Sequence, residues 1–275
     1  MSIKLPFKAR LSKIPNAPIT LFLHGFLGSH KNYIRLTRHI HKTLHHSTYS
    51  MDFRNHGDAP HVFPMDYTTL TSDIQSFCNE HSLHKVNIVG YSMGAKVGMS
   101  LALQNPNLVE KLICIDNAPI QKEIGPEFER YLSGLREVGE FVIRKYKDDV
   151  ASTWKATSVE KLMDDVGINS AFAMYLTENM KFDKVEKKIR FKIPIEQFDD
   201  NVLKDLGDFP HYEHPTETKS LFIRGLKSGF VDDQGVEAIK KFFPNNEIID
   251  IKATHDGLLS KHGSTIEKLI IKFLQ

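Results

Sequence analysis

The chain has 275 residues, 41% hydrophobic and 25% charged, the balance of a single globular unit with room for one insertion. A formal net charge of +2 is too small to argue for a nucleic-acid partner, and no apolar run reaches the length of a membrane helix. Two cysteines, Cys78 and Cys114, exclude a disulfide scaffold and suit a reducing compartment.

In chain order, the first 51 residues hold eight Lys or Arg and no acid before Asp52, a bias shared with organelle transit peptides. Only the first dozen residues fit the flank or remnant of such a segment, because folded core begins near residue 19. Ile19 to Leu23 reads as a buried strand running into His24-Gly25-Phe26-Leu27-Gly28-Ser29. A helix follows from about Asn32 to Leu44, then a strand from Thr48 to Asp52 that ends in Phe53-Arg54-Asn55-His56-Gly57. Residues Thr69 to His81 have helical spacing. The β-branched run Lys85 to Val89 is a strand, and Ala95 to Leu103, rich in small residues, is a helix. Lys111 to Ile115 is a further strand, ending at Asp116. Strands alternating with helices predict a parallel sheet with right-handed crossovers.

Residues 120–215 break that rhythm. They are charged and helical in pattern, for example over Phe128 to Tyr146 and Ser170 to Met180, and predict a helical cap inserted between strands. The β/α rhythm returns with Ser220 to Gly225, the helix Gln234 to Phe243, the strand Glu247 to Ile251 and a closing helix from Ser264 to Leu274. The expected division is a core of 1–119 and 216–275 with a cap of 120–215.

Between the strand ending at Val89 and the helix starting at Ala95 stands Gly90-Tyr91-Ser92-Met93-Gly94. This G-x-S-x-G sits where strand, tight turn and helix lift a serine hydroxyl out of a sheet, so Ser92 is the candidate nucleophile. A serine nucleophile needs a base, an orienting acid and an oxyanion hole. The base belongs after the last strand, where His255 follows Ile251 closely; His262 lies further on, at a helix start. The acid has two candidate places. Asp116 ends the strand beside the elbow, whereas Asp232 and Asp233 follow the strand ending at Gly225 and suit a helix cap. Strand-end topology favours Asp116. The position three residues after Gly225, often an aspartate in such folds, is Ser228. The oxyanion hole would take one backbone N–H from Met93 and another from Phe26 or Leu27. His211 and His214 lack a third metal ligand at sensible spacing and read as loop residues. His45 and His46 read as solvated at a helix end. Arg54, Asn55 and His56 fit either a turn or a wall of the site. No metal site and no nucleotide motif is expected.

These pieces together resemble one branch of the α/β-hydrolase superfamily. The branch holds YbfF-type bacterial short-chain esterases, the mitochondrial abhydrolase-eleven type and the fungal ethanol acetyltransferases. The matching residues are His24 to Ser29, Asp52 to Gly57 with Pro60 and His61, Gly90 to Val97, and Asp116-Asn117-Ala118-Pro119. The resemblance starts near residue 15 and is weakest in the cap. It departs at Thr254-His255, where the branch has Gly-His. It implies an α/β-hydrolase fold with Ser92, Asp116 and His255 as triad, Phe26 and Met93 at the oxyanion hole, and Ser228 beside the triad. It further implies acyl transfer from acetyl-CoA or short esters to ethanol or water by a monomer without a cofactor, acetyl-CoA being a substrate. The partners would be small esters, thioesters and alcohols, and the location mitochondrial. A strict short-chain carboxylesterase is the nearest alternative. A non-catalytic binding protein of the same fold is the distant one, and it would not need all three triad residues.

Overall fold

The computed structural model describes residues 2–145 and 150–275. The chain opens with β1 (Phe7–Arg10) and β2 (Ile19–Leu23), then a 3-10 turn (His30–Tyr33) leading into α1 (Ile34–Leu44). β3 (Ser47–Met51), α2 (Tyr67–Glu80), β4 (Val86–Tyr91), α3 (Met93–Gln104) and β5 (Val109–Ile115) follow. Next come α4 (Glu127–Lys145), α5 (Val150–Val166), α6 (Ser170–Thr177), the strands β6 (Met180–Asp183) and β7 (Lys188–Phe191), and α7 (Asp200–Gly207). The chain closes with β8 (Lys219–Gly225), α8 (Asp233–Phe242), β9 (Asn246–Ile251), α9 (His255–Ser260) and α10 (Gly263–Leu274).

Seven strands form one sheet in the order β1-β3-β2-β4-β5-β8-β9. Only β1 runs antiparallel, against β3. The period-2 alternation of each strand divides its apolar residues between two helical layers. Leu21, Leu23, Ile88, Leu112, Cys114 and Phe222 face a core shared with Ile74 and Phe77 of α2, Val97 and Leu101 of α3 and Ile239 of α8. Phe22, Val89, Ile113, Leu221 and Ile223 face the other layer, with Ile40 of α1 and Ile266 and Ile270 of α10. Each such side chain contributes about 1.5–3 kcal/mol on full burial, and a one-residue slip of register would carry each set into the layer packed for the other. Both cysteines are buried; burial pushes the Cys78 thiol up to about 12 and raises Cys114 well above its ordinary value, which leaves both as protonated core side chains.

The register also sets where the strands end. Leu23 pairs with Gly90, Tyr91 with Ile115 and Ile115 with Ile223. The carboxyl ends of β2, β4, β5 and β8 therefore lie at one rim, and the loops that leave them meet there.

The described residues of 120–215 hold four α-helices, α4 to α7, and the antiparallel hairpin β6–β7. The hairpin stands apart from the main sheet. Leu132, Leu135, Val138, Leu162, Phe172 and Leu176 pack into one cluster continuous with the core. Lys96 of α3 anchors this layer: its Nζ donates to the carbonyls of Gly207 and Asp208 at 2.9 and 2.7 Å. Burial pulls the Lys96 pKa down to about 7.

Several sequence expectations need correction. The helix expected over 170–180 stops at Thr177, and Met180 begins β6. The helix expected over 128–146 is α4, and position 146 lies outside the described residues. The edge strand β1 carried too short a pattern to be seen. His46 is not solvated; it is buried, 2.9 Å from the Thr20 hydroxyl. Among the described residues, no helix is long and apolar enough to cross a membrane.

Candidate active site

Ser92 stands between β4 and α3 with φ 53° and ψ −116°, a region that L-residues seldom occupy. Two glycines permit it. A Cβ at Gly94 would overlap the Leu23 carbonyl, and one at Gly90 would overlap the Gly94 backbone. The strain is held by the bond from the Ser92 N–H to Ile115 O, 2.9 Å, and by the start of α3 on the Ser92 carbonyl.

The structure brings Ser92, His255 and Asp116 together from three separate parts of the chain. Ser92 Oγ is 3.0 Å from His255 Nε2. His255 Nδ1 is 2.7 Å from Asp116 Oδ2. The other carboxylate oxygen, Oδ1, accepts from Gly225 N at 2.8 Å and lies 2.9 Å from the Ser228 hydroxyl. Both oxygens of a fully buried carboxylate are thus satisfied by donors that fix its plane. Asp232 is elsewhere: it accepts from Gly235 N as the cap of α8 and pairs with Lys122. The Asp233 side chain is fully exposed. His255 opens α9, and Thr254 caps that helix by accepting from Gly257 N at 3.3 Å. The capping hydroxyl gives a physical reason for threonine where the resembling branch has glycine.

Sequence reasoning missed the faces of His255. Its ring lies between Phe230, centroids 4.0 Å apart at 16°, and Tyr91, 4.8 Å apart at 23°. The Tyr91 hydroxyl also donates to the His255 carbonyl at 3.2 Å. Tyr91 belongs to the elbow motif and Phe230 follows Ser228 by two residues, but nothing in their spacing signals a sandwich.

The loop after β2 approaches Ser92 from the other side. The Leu27 N–H donates to His56 Nε2 at 3.1 Å, so that amide is committed. The Phe26 and Met93 amides have no acceptor among the described residues. Of the two expected loop donors, Phe26 is the one left to serve a ligand. His56 in turn donates from Nδ1 to Arg54 O, and His24 accepts from Phe53 N at Nε2 and donates to Gly25 O from Nδ1. Burial lowers the His24 pKa to about 4 and the His56 pKa to about 3, so both rings stay neutral acceptors. Arg54 makes a two-pronged bond to Asp73 and Asn55 bonds to Val62, so this segment builds the turn beneath the loop.

Above Ser92 close Phe26, Phe128, Tyr131, Phe172 and Tyr175, leaving about 10 Å³ of open space. Tyr91, Phe172 and Tyr175 also wall a neighbouring cavity of about 300 Å³, which reaches Asn32, Glu178 and Asp256. The arrangement has the parts of a serine acyl-transfer centre: a hydroxyl, an imidazole, a buried carboxylate and two free amides within a narrow aromatic chamber.

The comparisons agree with this architecture. The alpha/beta hydrolase fold family model matches residues 18–261. Ethanol acetyltransferase 1 of Wickerhamomyces anomalus is 35% identical over 93% of this chain and 68% of its own length. An abhydrolase domain-containing protein of Schizosaccharomyces pombe is 32% identical over 92% of this chain and 91% of its own. A solved esterase from a marine microorganism superposes with a TM-score of 0.83 at 25% identity, over 99% of this chain and all of that one. The chain belongs to the α/β-hydrolase fold family and is an enzyme of its hydrolase/acyltransferase type.

Proposed function

We propose that the protein is a serine acyltransferase that takes a short acyl group, acetyl above all, from acetyl-CoA or a short ester and passes it to ethanol or water. The observation that carries this reading is the relay from Ser92 Oγ through His255 to Asp116, at 3.0 and 2.7 Å. Ser92 Oγ attacks the acyl carbon while His255 takes its proton. The carbonyl oxygen becomes an oxyanion facing the Phe26 and Met93 amides, and His255 returns the proton to the departing thiol or alcohol. The acyl group stays on Ser92. In the second half an alcohol or water gives its proton to His255, attacks the acyl carbon and releases Ser92. Asp116 holds the imidazole in the tautomer with Nδ1–H throughout. No step calls for a cofactor. Mitochondrial residence belongs to the same reading; it rests on the likeness to fungal acetyltransferases and is tested by fractionation.

Two features support alcohol as an acceptor. The named relatives include ethanol acetyltransferases. The chamber over Ser92 is small and aromatic, which suits a short acyl group and lowers the share of water. The similarity to a solved esterase supports the second reading, a strict carboxylesterase. Product analysis with acetyl-CoA separates them. Rising ethanol should raise ethyl acetate and lower free acetate, with total coenzyme A release nearly constant if acylation limits the rate. If acetate forms at one rate at every ethanol concentration and no ester appears, the transferase reading fails and the hydrolase stands.

A further inference from the structure

The loop carrying Phe26 is unusual in how its carbonyls are held. In a trans peptide the N–H points away from the carbonyl of the same unit, so fixing the oxygen fixes the aim of the hydrogen. The Phe26 N–H belongs to the unit whose oxygen is Gly25 O. That oxygen accepts from His24 Nδ1 at 2.8 Å and Gly28 N at 3.0 Å, and the Tyr175 hydroxyl lies 3.3 Å away. The next oxygen, Phe26 O, accepts from the same hydroxyl at 3.0 Å. The third, Leu27 O, accepts from Asn179 Nδ2 at 2.6 Å. At their N–H ends the second and third units are tied to His56 and to Gly25 O. The segment needs such ties, because Leu27 sits in the left-handed region at φ 59°, which a leucine does not hold unaided.

Tyr175 lies on α6 and Asn179 just beyond its end, about 150 residues from the loop they grip and both within the inserted cap region. Tyr175 is partly buried, packed against the core; burial raises its pKa well above the ordinary tyrosine value, so its hydroxyl keeps its proton. Its ring is stacked on Phe172, 5.2 Å apart at 12°, which fixes the hydroxyl's direction. Asn179 is buried too, and its amide also bonds to Leu176 O.

We infer that Tyr175 and Asn179 are positioning residues of the oxyanion hole, through which the cap aims the Phe26 N–H at the acyl oxygen. This rests on the reading of Ser92 as nucleophile and Phe26 as donor. Tyr175 also walls the space over Ser92, together with Phe128, Tyr131 and Phe172. One side chain thus both helps to cover Ser92 and ties the loop whose amide faces the oxyanion, which couples water exclusion to oxyanion stabilisation.

The test is Tyr175→Phe, which keeps the stacked ring and removes only the hydroxyl. It is assayed with p-nitrophenyl acetate and with a methyl trifluoromethyl ketone, whose adduct with Ser92 places an alkoxide in the hole. The expected result is a fall in kcat of roughly tenfold to a hundredfold, with KM and melting temperature little changed. Ketone affinity should fall by the same factor as kcat/KM. Asn179→Leu, matched in size, acts on the same loop through a different carbonyl and should show the same pattern. Wild-type kcat and ketone affinity in a folded Tyr175→Phe would overturn the inference. So would a loss confined to KM or to thermal stability. Turnover in Ser92→Ala would instead defeat the catalytic reading itself; an inactive Ser92→Ala beside an unaffected Tyr175→Phe defeats only the positioning role.

Discussion

Acidification should destabilise this protein well above the pH at which carboxylates titrate. His24 and His56 are neutral in the fold, with pKa values of about 4 and about 3 against an ordinary 6.5, chiefly because both rings are buried. The unfolded chain takes up protons below pH 6.5 while the folded chain does not, so the unfolded state binds more protons and is favoured as pH falls. Stability from these two groups is therefore complete above about pH 6.5 and is lost progressively down to their folded values. One pKa unit corresponds to about 1.4 kcal/mol, so going from pH 7 to pH 5 costs about 2 kcal/mol at each ring and about 3–4 kcal/mol together. That is a large part of the roughly 5–15 kcal/mol that holds a typical domain together. His46, whose pKa burial also lowers, acts in the same direction. Asp52 does not contribute in this window: burial opposes its charge, but bonds from His30 and Asp58 outweigh this and bring it to about 2. The reason is local as well as global, because a protonated His56 cannot accept the Leu27 N–H and a protonated His24 cannot accept the Phe53 N–H. Urea unfolding followed by circular dichroism at pH 7, 6 and 5 measures the slope, and His56→Asn should remove about half of it. Stabilities at pH 5 and pH 7 that agree within about 1 kcal/mol would refute neutral, buried rings.

Ser92→Ala should lower turnover by roughly a thousandfold or more while leaving the circular dichroism spectrum unchanged; activity above about a tenth of wild type would remove Ser92 from the mechanism. Asp116→Asn should cost on the order of ten-thousandfold in kcat by allowing the wrong His255 tautomer, whereas Asp232→Asn should leave turnover close to wild type. Comparable losses in the two variants would contradict the geometry that joins Asp116 to His255. Gly94→Ala should destabilise by about 1–3 kcal/mol, because the added methyl meets the Leu23 backbone, which cannot swing aside as a side chain could. An unchanged urea midpoint would show that strand and elbow helix have slack the structure does not have.

The elements that position Ser92, Asp116 and His255 were legible in the sequence because each is a local pattern. A β-branched run, two glycines around a serine and a small-residue helix specify an elbow within twenty residues, and Ile113-Cys114-Ile115 before Asp116 specifies a buried strand end. The short strands β1 and β6–β7 were not legible. Four-residue strands carry little periodicity, and Lys184 to Lys187 between the cap strands looks like a solvated helix face. His46 was misread for a related reason: a helix-end histidine exposes its ring by default, and only the neighbouring strand supplies Thr20 to bury it against. Residue identity and local period thus determined by themselves the order of the core strands β2, β3, β4, β5, β8 and β9 with the helices between them, the elbow and the small set of groups able to do acyl chemistry. Tertiary structure alone decided which amide of the oxyanion loop is free, what clasps the faces of His255, and which cap residues hold the loop. Those contacts join Phe26 to Tyr175, Leu27 to Asn179 and Tyr91 to His255, pairs separated by about 150 residues, and no pattern along a chain records which side chains folding will bring to the same rim of a sheet.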